Sequence, residues 1–229
     1  SAVRIGRGRL LLQPWGKTMK SAGQFLVGLA LAAGAAAAWA APALPAPQEF
    51  YFDVDPAAAP MVVVEAQGDD LVNQLARQRE RGRKALEATV QLAGVAIAQG
   101  RPELGQTLYA EALQAAPVTT PAGRSVRWNY AWDLYRQGQV DAALEQWLAS
   151  ASSLRGNAAW VPPTFALALW KQGQREQAVK WYAAAVRTEP GQWSDSAQFA
   201  RLLPTWREDE RALLAEVQQA WVSQPPAWP

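Results

Sequence analysis

At 229 residues, with a formal net charge of +2 and half its residues hydrophobic, the chain has ample material for one or two cores. It contains no cysteine and no histidine, which excludes disulfides, thiolate nucleophiles, imidazole bases and the usual zinc ligand sets. The hydrophobic fraction is rich in alanine and has few β-branched runs, and alanine loses no side-chain entropy on entering a helix, so an all-α fold is expected.

Five positive residues, Arg4, Arg7, Arg9, Lys17 and Lys20, precede an apolar run from Phe25 to Trp39 that ends in Ala38-Trp39-Ala40, a small-x-small cleavage signal. Residues 1–40 are predicted to be a secretory signal peptide cut after Ala40. Met19-Lys20 opens an ordinary signal sequence, so residues 1–18 read as an over-extended gene start. The run is short and Ala-rich for a membrane span, which needs about 20 strongly apolar residues. Left uncleaved, it would be the one route to membrane attachment. Of the 22 basic residues five precede position 41, and none of the 20 acidic ones does, so cleavage leaves 17 basic against 20 acidic and a net charge of −3. A basic nucleic-acid binder is not what would be released. There is no lipobox cysteine to mark a lipoprotein, and a bacterial periplasmic location is expected from the signal segment.

From Ala41 to about Gly68 the chain is Pro/Ala-rich, with prolines at 42, 45, 47, 56 and 60 that remove backbone donors. Residues 41–68 read as a linker or tail. Phe50-Tyr51-Phe52 and Met61-Val62-Val63-Val64 interrupt it and could dock as short extended pieces, either free or against the first helices. Asp69-Asp70 then offers a cap before Leu71, Leu75 and an Arg-rich helix that Gly82 loosens or breaks. Its basic residues Arg77, Arg79, Arg81, Arg83 and Lys84 fan around the axis as a solvated face.

A helical repeat domain is expected over residues 69–222, with a tail at 223–229. Its signature is three Gln-Gly dipeptides, Gln99-Gly100, Gln137-Gly138 and Gln172-Gly173, spaced 38 and 35 residues apart, each between two stretches of helical periodicity. Before the turns stand Leu92-Ala93-x2-Ala96, Tyr130-Ala131-x2-Leu134 and Phe165-Ala166-x2-Leu169. After them come Gly105-x3-Tyr109, Ala143-x3-Trp147 and Ala178-x3-Tyr182. Antiparallel helices approach closely only where a small residue faces a large one, so Ala131 and Ala143 make room for Trp147, and Ala166 and Ala178 for Tyr182. Pro117 and Pro190 end the second helices of their blocks.

These residues resemble the tetratricopeptide repeat (TPR) family, as about three degenerate repeats at roughly 86–118, 124–155 and 159–191. The opening tryptophan slot of that family holds Thr89, Arg127 and Pro162, and the closing proline slot of the middle block holds Arg155. The resemblance implies a TPR-like superhelix of stacked antiparallel hairpins, finished by a C-terminal helix pair. That pair is expected over Ser194 to Leu203 and then to about Val222, entered through a capping box at Thr205-Trp206-Arg207-Glu208. A related hairpin repeat of another name would leave the architecture almost unchanged.

The resemblance further implies that the first helix of each repeat lines a concave face. Carried over by position, that face receives Trp128, Trp132, Tyr135 and Arg136 from the second block, and Trp160, Leu167, Trp170 and Lys171 from the third. Val90, Gly94 and Ile97 come from the first. Four tryptophans and two cations suit an extended apolar or acidic segment; the same residue types also serve as hairpin core, and the sequence leaves both roles open. The family's carboxylate clamp is not matched, because Trp128, Trp132 and Pro163 stand in its positions.

The function expected is a noncatalytic periplasmic interaction or scaffold module whose partner is another envelope protein, with no cofactor, no metal and no nucleic acid. Glycan binding through exposed tryptophans is the alternative, although few Asn, Asp and Gln residues accompany them. No Gly-x-Ser-x-Gly, Ser-x-x-Lys or phosphate loop is present, and the run Glu208-Asp209-Glu210 complements a helix dipole rather than forming a catalytic pair. An enzyme is not expected.

Overall fold

The computed structural model describes residues 43–48 and 50–227, so the predicted signal peptide and its expected cleavage point lie outside the described residues. The regular secondary structure of those residues is helical, with one isolated extended bridge between Asp53 and Ala158. In chain order the helices are α1 (Gly68–Arg81), α2 (Ala85–Ala98), α3 (Pro102–Ala115), α4 (Pro121–Arg136), α5 (Val140–Ser152), α6 (Val161–Lys171), α7 (Arg175–Thr188), α8 (Pro190–Trp193), α9 (Phe199–Leu202) and α10 (Glu208–Ser223). None of them is long and apolar enough to cross a membrane.

Helices α2 and α3, α4 and α5, and α6 and α7 pack as three hairpins around the Gln-Gly turns. Gly100, Gly138 and Gly173 have φ of 75°, 80° and 79°, the left-handed region that a Cβ disfavours. Each turn closes with the same pair of hydrogen bonds. The glycine N–H donates to the carbonyl three residues back, at Ile97, Tyr135 and Trp170, and the following N–H donates to Ala96, Leu134 and Leu169. That pairing is the Schellman motif, which satisfies carbonyls the helix end would leave open.

Helix starts follow local chemistry too. Pro102, Pro121, Pro162, Pro163 and Pro190 lie in first turns, where a missing N–H costs nothing. Thr120 caps α4 by accepting from the Gly123 N–H at 3.0 Å. Gly105 sits where α3 crosses α2: a Cβ there would lie 2.4 Å from the Ile97 side chain.

The main core runs through the second and third hairpins. Ala131, Ala143 and Trp147 are fully buried, as are Ala166, Ala178 and Tyr182, the small-against-large pattern that close helix approach requires. Helix α1 packs on α2 through Leu75 and Ala88, and ends before Gly82. At the other end α10 packs against α6 and α7 with Leu214 and Val217 buried. This helix begins at Glu208 rather than at Thr205. Its start is fixed by the Glu210 carboxylate, which accepts the Arg207 N–H at 2.7 Å, so the reciprocal capping contact lies two residues later than the Thr205 reading placed it.

The stretch before α1 is docked. Residues 50–64, called the strap below, run from the end of α7 past the start of α6 to α4 and α2. Side chains alternate along its first part. Tyr51 and Ala57 are buried and the Asp55 side chain is covered, while Phe50, Phe52 and Val54 face outward, the period-2 pattern of extended chain, broken at Asp53, which stays exposed. Phe50 has φ of 68°, a conformation that costs a bulky residue about 1–3 kcal/mol. It is held there from both sides: its N–H donates to Thr188 Oγ1 at 3.2 Å and its carbonyl accepts from Asn157 Nδ2 at 3.2 Å.

Candidate functional site

The expected groove residues divide into three groups. Trp128, Trp132, Tyr135 and Leu167 are buried. Trp132 stands at the centre of an aromatic cluster, with ring centroids 6.0 Å from Trp128, 5.9 Å from Tyr135, and 5.0 Å from both Trp147 and Trp206. These four pairs are T-shaped, which sets positive ring edges on negative faces. Arg136 lies over the Trp132 ring at 5.0 Å and is held by Glu210 through two hydrogen bonds of 2.8 and 3.2 Å. The segment entering α10 thus covers this part of α4, and supplies both an indole and a carboxylate to it.

Trp160, Trp170 and Lys171 remain at the surface, the two indoles half-buried. They stand at opposite ends of α6. Trp170 donates to Glu216 Oε2 at 2.9 Å and carries the Arg175 guanidinium 3.8 Å above its ring. Trp160 donates to Asp55 Oδ2 of the strap at 3.3 Å. The eight residues therefore do not form one open wall.

Beside the cluster, Tyr109 donates to Asp133 Oδ2 at 2.5 Å. Burial raises the Asp133 pKa above 3.8, against the lowering effect of the Tyr109 hydrogen bond and of Arg136 and Arg207. Burial and the neighbouring Asp133 charge push the Tyr109 phenol well up. An acid whose folded pKa lies above its unfolded value destabilises the fold while ionised. That penalty is full at neutral pH and disappears as pH falls through the raised folded value toward 3.8. Asp133→Asn is therefore expected to gain on wild type at pH 7 and to lose that advantage by pH 4. Urea midpoints of both proteins at the two pH values check this, and parallel titration of the two would refute it.

A second set of residues comes together where the first helices meet the strap. Asn129 on α4 accepts the Met61 N–H at 3.0 Å and donates to the Ala59 carbonyl at 3.0 Å. Gln91 on α2 accepts from the N–H groups of Val63 and Val64 at 2.7 and 3.1 Å and donates to the Val64 carbonyl at 2.7 Å. Each amide thus reads an extended backbone with both its donor and its acceptor. Further along, Asp55 is buried between Trp160 and Arg124, with Arg124 Nη2 at 3.7 Å. Asp53 pairs with the turn before α6: its N–H donates to the Asn157 carbonyl and its carbonyl accepts from Ala159, both at 3.1 Å.

Gln91 and Asn129 each stand nine residues before the turn glycine of their block, and Thr164 holds that register in the third. Superposing the blocks on their apolar positions passes over this match. Superposing their polar positions exposes it.

Among the described residues no group of carboxylates converges in a way that could hold a metal ion. Compared with known proteins, the chain matches no family model, no curated protein and no solved structure.

Proposed function

We propose that this chain is a noncatalytic interaction module of the bacterial periplasm, a degenerate TPR-type array that holds an extended segment of another envelope protein along the first helices of its hairpins. One observation carries the reading: equivalent positions of successive hairpins, Gln91 and Asn129, present side-chain amides that grip extended main chain through donor and acceptor together. Helical hairpins that repeat such a group at a fixed register make a track for polypeptide. Glycan recognition would need open indole faces, and burial of Trp128 and Trp132 makes it the weaker reading.

The test is affinity capture from the native periplasm with the full-length protein, followed by mass spectrometry, set beside the double variant Gln91→Ala/Asn129→Ala. The expected result is one envelope protein enriched on wild type and reduced at least tenfold on the variant, with both proteins giving the same helical circular dichroism. Equal capture by the two would overturn the reading. Enrichment that free envelope glycan competes away would transfer it to the glycan class.

A further inference from the structure

We infer that residues 50–64 are a resident, exchangeable occupant of the peptide track, and that the partner's segment takes their place by copying their chemistry. This rests on the interaction-module reading and specifies what the module accepts: an extended run carrying an aromatic residue, an aspartate four positions later and a small residue two beyond that, as Tyr51, Asp55 and Ala57 stand in the strap.

Two kinds of contact hold the strap, and each is transferable. The grip by Gln91 and Asn129 falls on peptide groups at residues 59, 61, 63 and 64. Such bonds are made as well by any other extended chain. Selectivity comes from three side chains. Tyr51 packs against Trp181 with centroids 6.1 Å apart. The Asp55 carboxylate enters a slot closed by Arg124 and the Trp160 N–H, where an uncharged residue would leave the Arg124 charge without its counter-ion. Ala57 is buried, and its N–H donates to Asp55 Oδ1 at 3.1 Å, which fixes it two positions beyond the carboxylate.

The strap is core only in part: Tyr51 belongs to the main cluster and Val64 to the one between α1 and α2, while its outer face is open. Phe50, Phe52 and Val54 are 54, 56 and 87 % exposed, and Phe50 is held in the left-handed region by hydrogen bonds with Thr188 and Asn157. An open pocket of about 210 Å³ adjoins its first residues, lined by Pro45, Tyr51, Leu154, Val161 and Trp181 among others. Segments anchored partly through exposed hydrogen bonds, as this one is at Phe50 and Ala59, open locally without the rest of the fold. Only residues 65–67 join the strap to α1, so its return is intramolecular, at the millimolar effective concentration of a short tether. An incoming segment competes against that tether, and loosening the strap reveals the track.

The experiment uses the full chain and a fluorescein-labelled synthetic peptide with the sequence of residues 50–64. The double variant Tyr51→Ala/Asp55→Ala alters the strap and leaves the track side chains in place; Asp53→Pro, which removes a bridge N–H on exposed chain, is run beside it in case the loss of Asp55 disturbs α4 through Arg124. In hydrogen exchange, the Met61, Val63 and Val64 amides are expected to lose protection while those of α4 and α6 keep theirs. The peptide is expected to bind the loosened protein at least tenfold more tightly than wild type, and adding Asn129→Ala is expected to abolish that gain.

Loss of protection in α4 and α6 together with the strap would make the strap a structural element and overturn the inference. So would unchanged protection of the strap amides in both variants, or free exchange of the strap with no gain in peptide binding. Peptide binding by a loosened protein that captures no envelope partner keeps the inference and removes the scaffold reading. Partner capture that is as strong on wild type as on the loosened protein keeps the scaffold reading and removes the inference.

Discussion

Trp132→Ala is expected to lower the free energy of unfolding by about 3–5 kcal/mol, whereas Trp170→Ala lowers it by about 1 kcal/mol. The two positions were equivalent candidates for a binding wall, and what separates them is cover. Trp132 is 4 % exposed and touches Trp128, Tyr135, Trp147 and Trp206. Removing its ring opens a hole shared by α4, α5 and the segment entering α10, and a hole bounded by three elements cannot collapse without moving them. Trp170 is half-buried, and its removal forfeits one hydrogen bond to Glu216 and one cation–ring contact with Arg175. Urea denaturation followed by circular dichroism measures both. A Trp132→Ala protein within 1 kcal/mol of wild type would show that the cluster contributes little to holding the C-terminal segment in place.

Glu210→Ala is expected to cost about 3 kcal/mol, toward the low end for breaking a buried ion pair because Arg136 keeps some water contact. The carboxylate is 2 % exposed and its partner guanidinium 24 %. It performs two tasks at once, pairing with Arg136 and accepting the Arg207 N–H that starts α10. Alanine leaves the guanidinium without a counter-ion and the first turn of α10 without its acceptor, so the loss combines an ion pair with a helix cap worth about 1 kcal/mol. Glu210→Gln retains an acceptor for the N–H and is expected to lose about half as much. Hydrogen exchange locates the damage: first-turn amides of α10 should lose protection in Glu210→Ala before those of α6 do. Uniform loss along the chain would contradict the local account.

The parts of the fold that could be read from the chain are those governed by neighbours in sequence. A glycine two residues past the last helical residue is needed because a Cβ resists a positive φ, so Gly100, Gly138 and Gly173 mark their turns wherever the rest of the chain lies. Alternation of alanine with tryptophan or tyrosine likewise reports helix approach directly. The start of α10 was misplaced because Thr205 satisfies the local rule for a cap. The deciding contact there is Glu210, whose position is also fixed by Arg136, 74 residues earlier.

Long-range cover was the part that local rules could not reach. An indole is suited equally to a groove wall and to an interior, and only the arrival of Trp206 on Trp132 decides between them. The strap's route was hidden for a related reason. Its docking depends on Gln91, Asn129, Asn157 and Thr188, isolated polar residues with no apolar period, acting across separations of 27 to 138 residues. Half of that information was present as a register match between Gln91 and Asn129, visible only with the turn glycines as the ruler.

The main-chain character of the amide grip constrains how this segment can evolve. Between residues 59 and 64 the N–H groups engaged by Gln91 and Asn129 belong to Met61, Val63 and Val64, so at those three positions proline is forbidden. Pro60 sits where its missing hydrogen is not asked for. Lineages can therefore drift widely in composition along this stretch while conserving a pattern of absent imino acids, and a homologue's equivalent segment is better sought by that pattern than by shared letters.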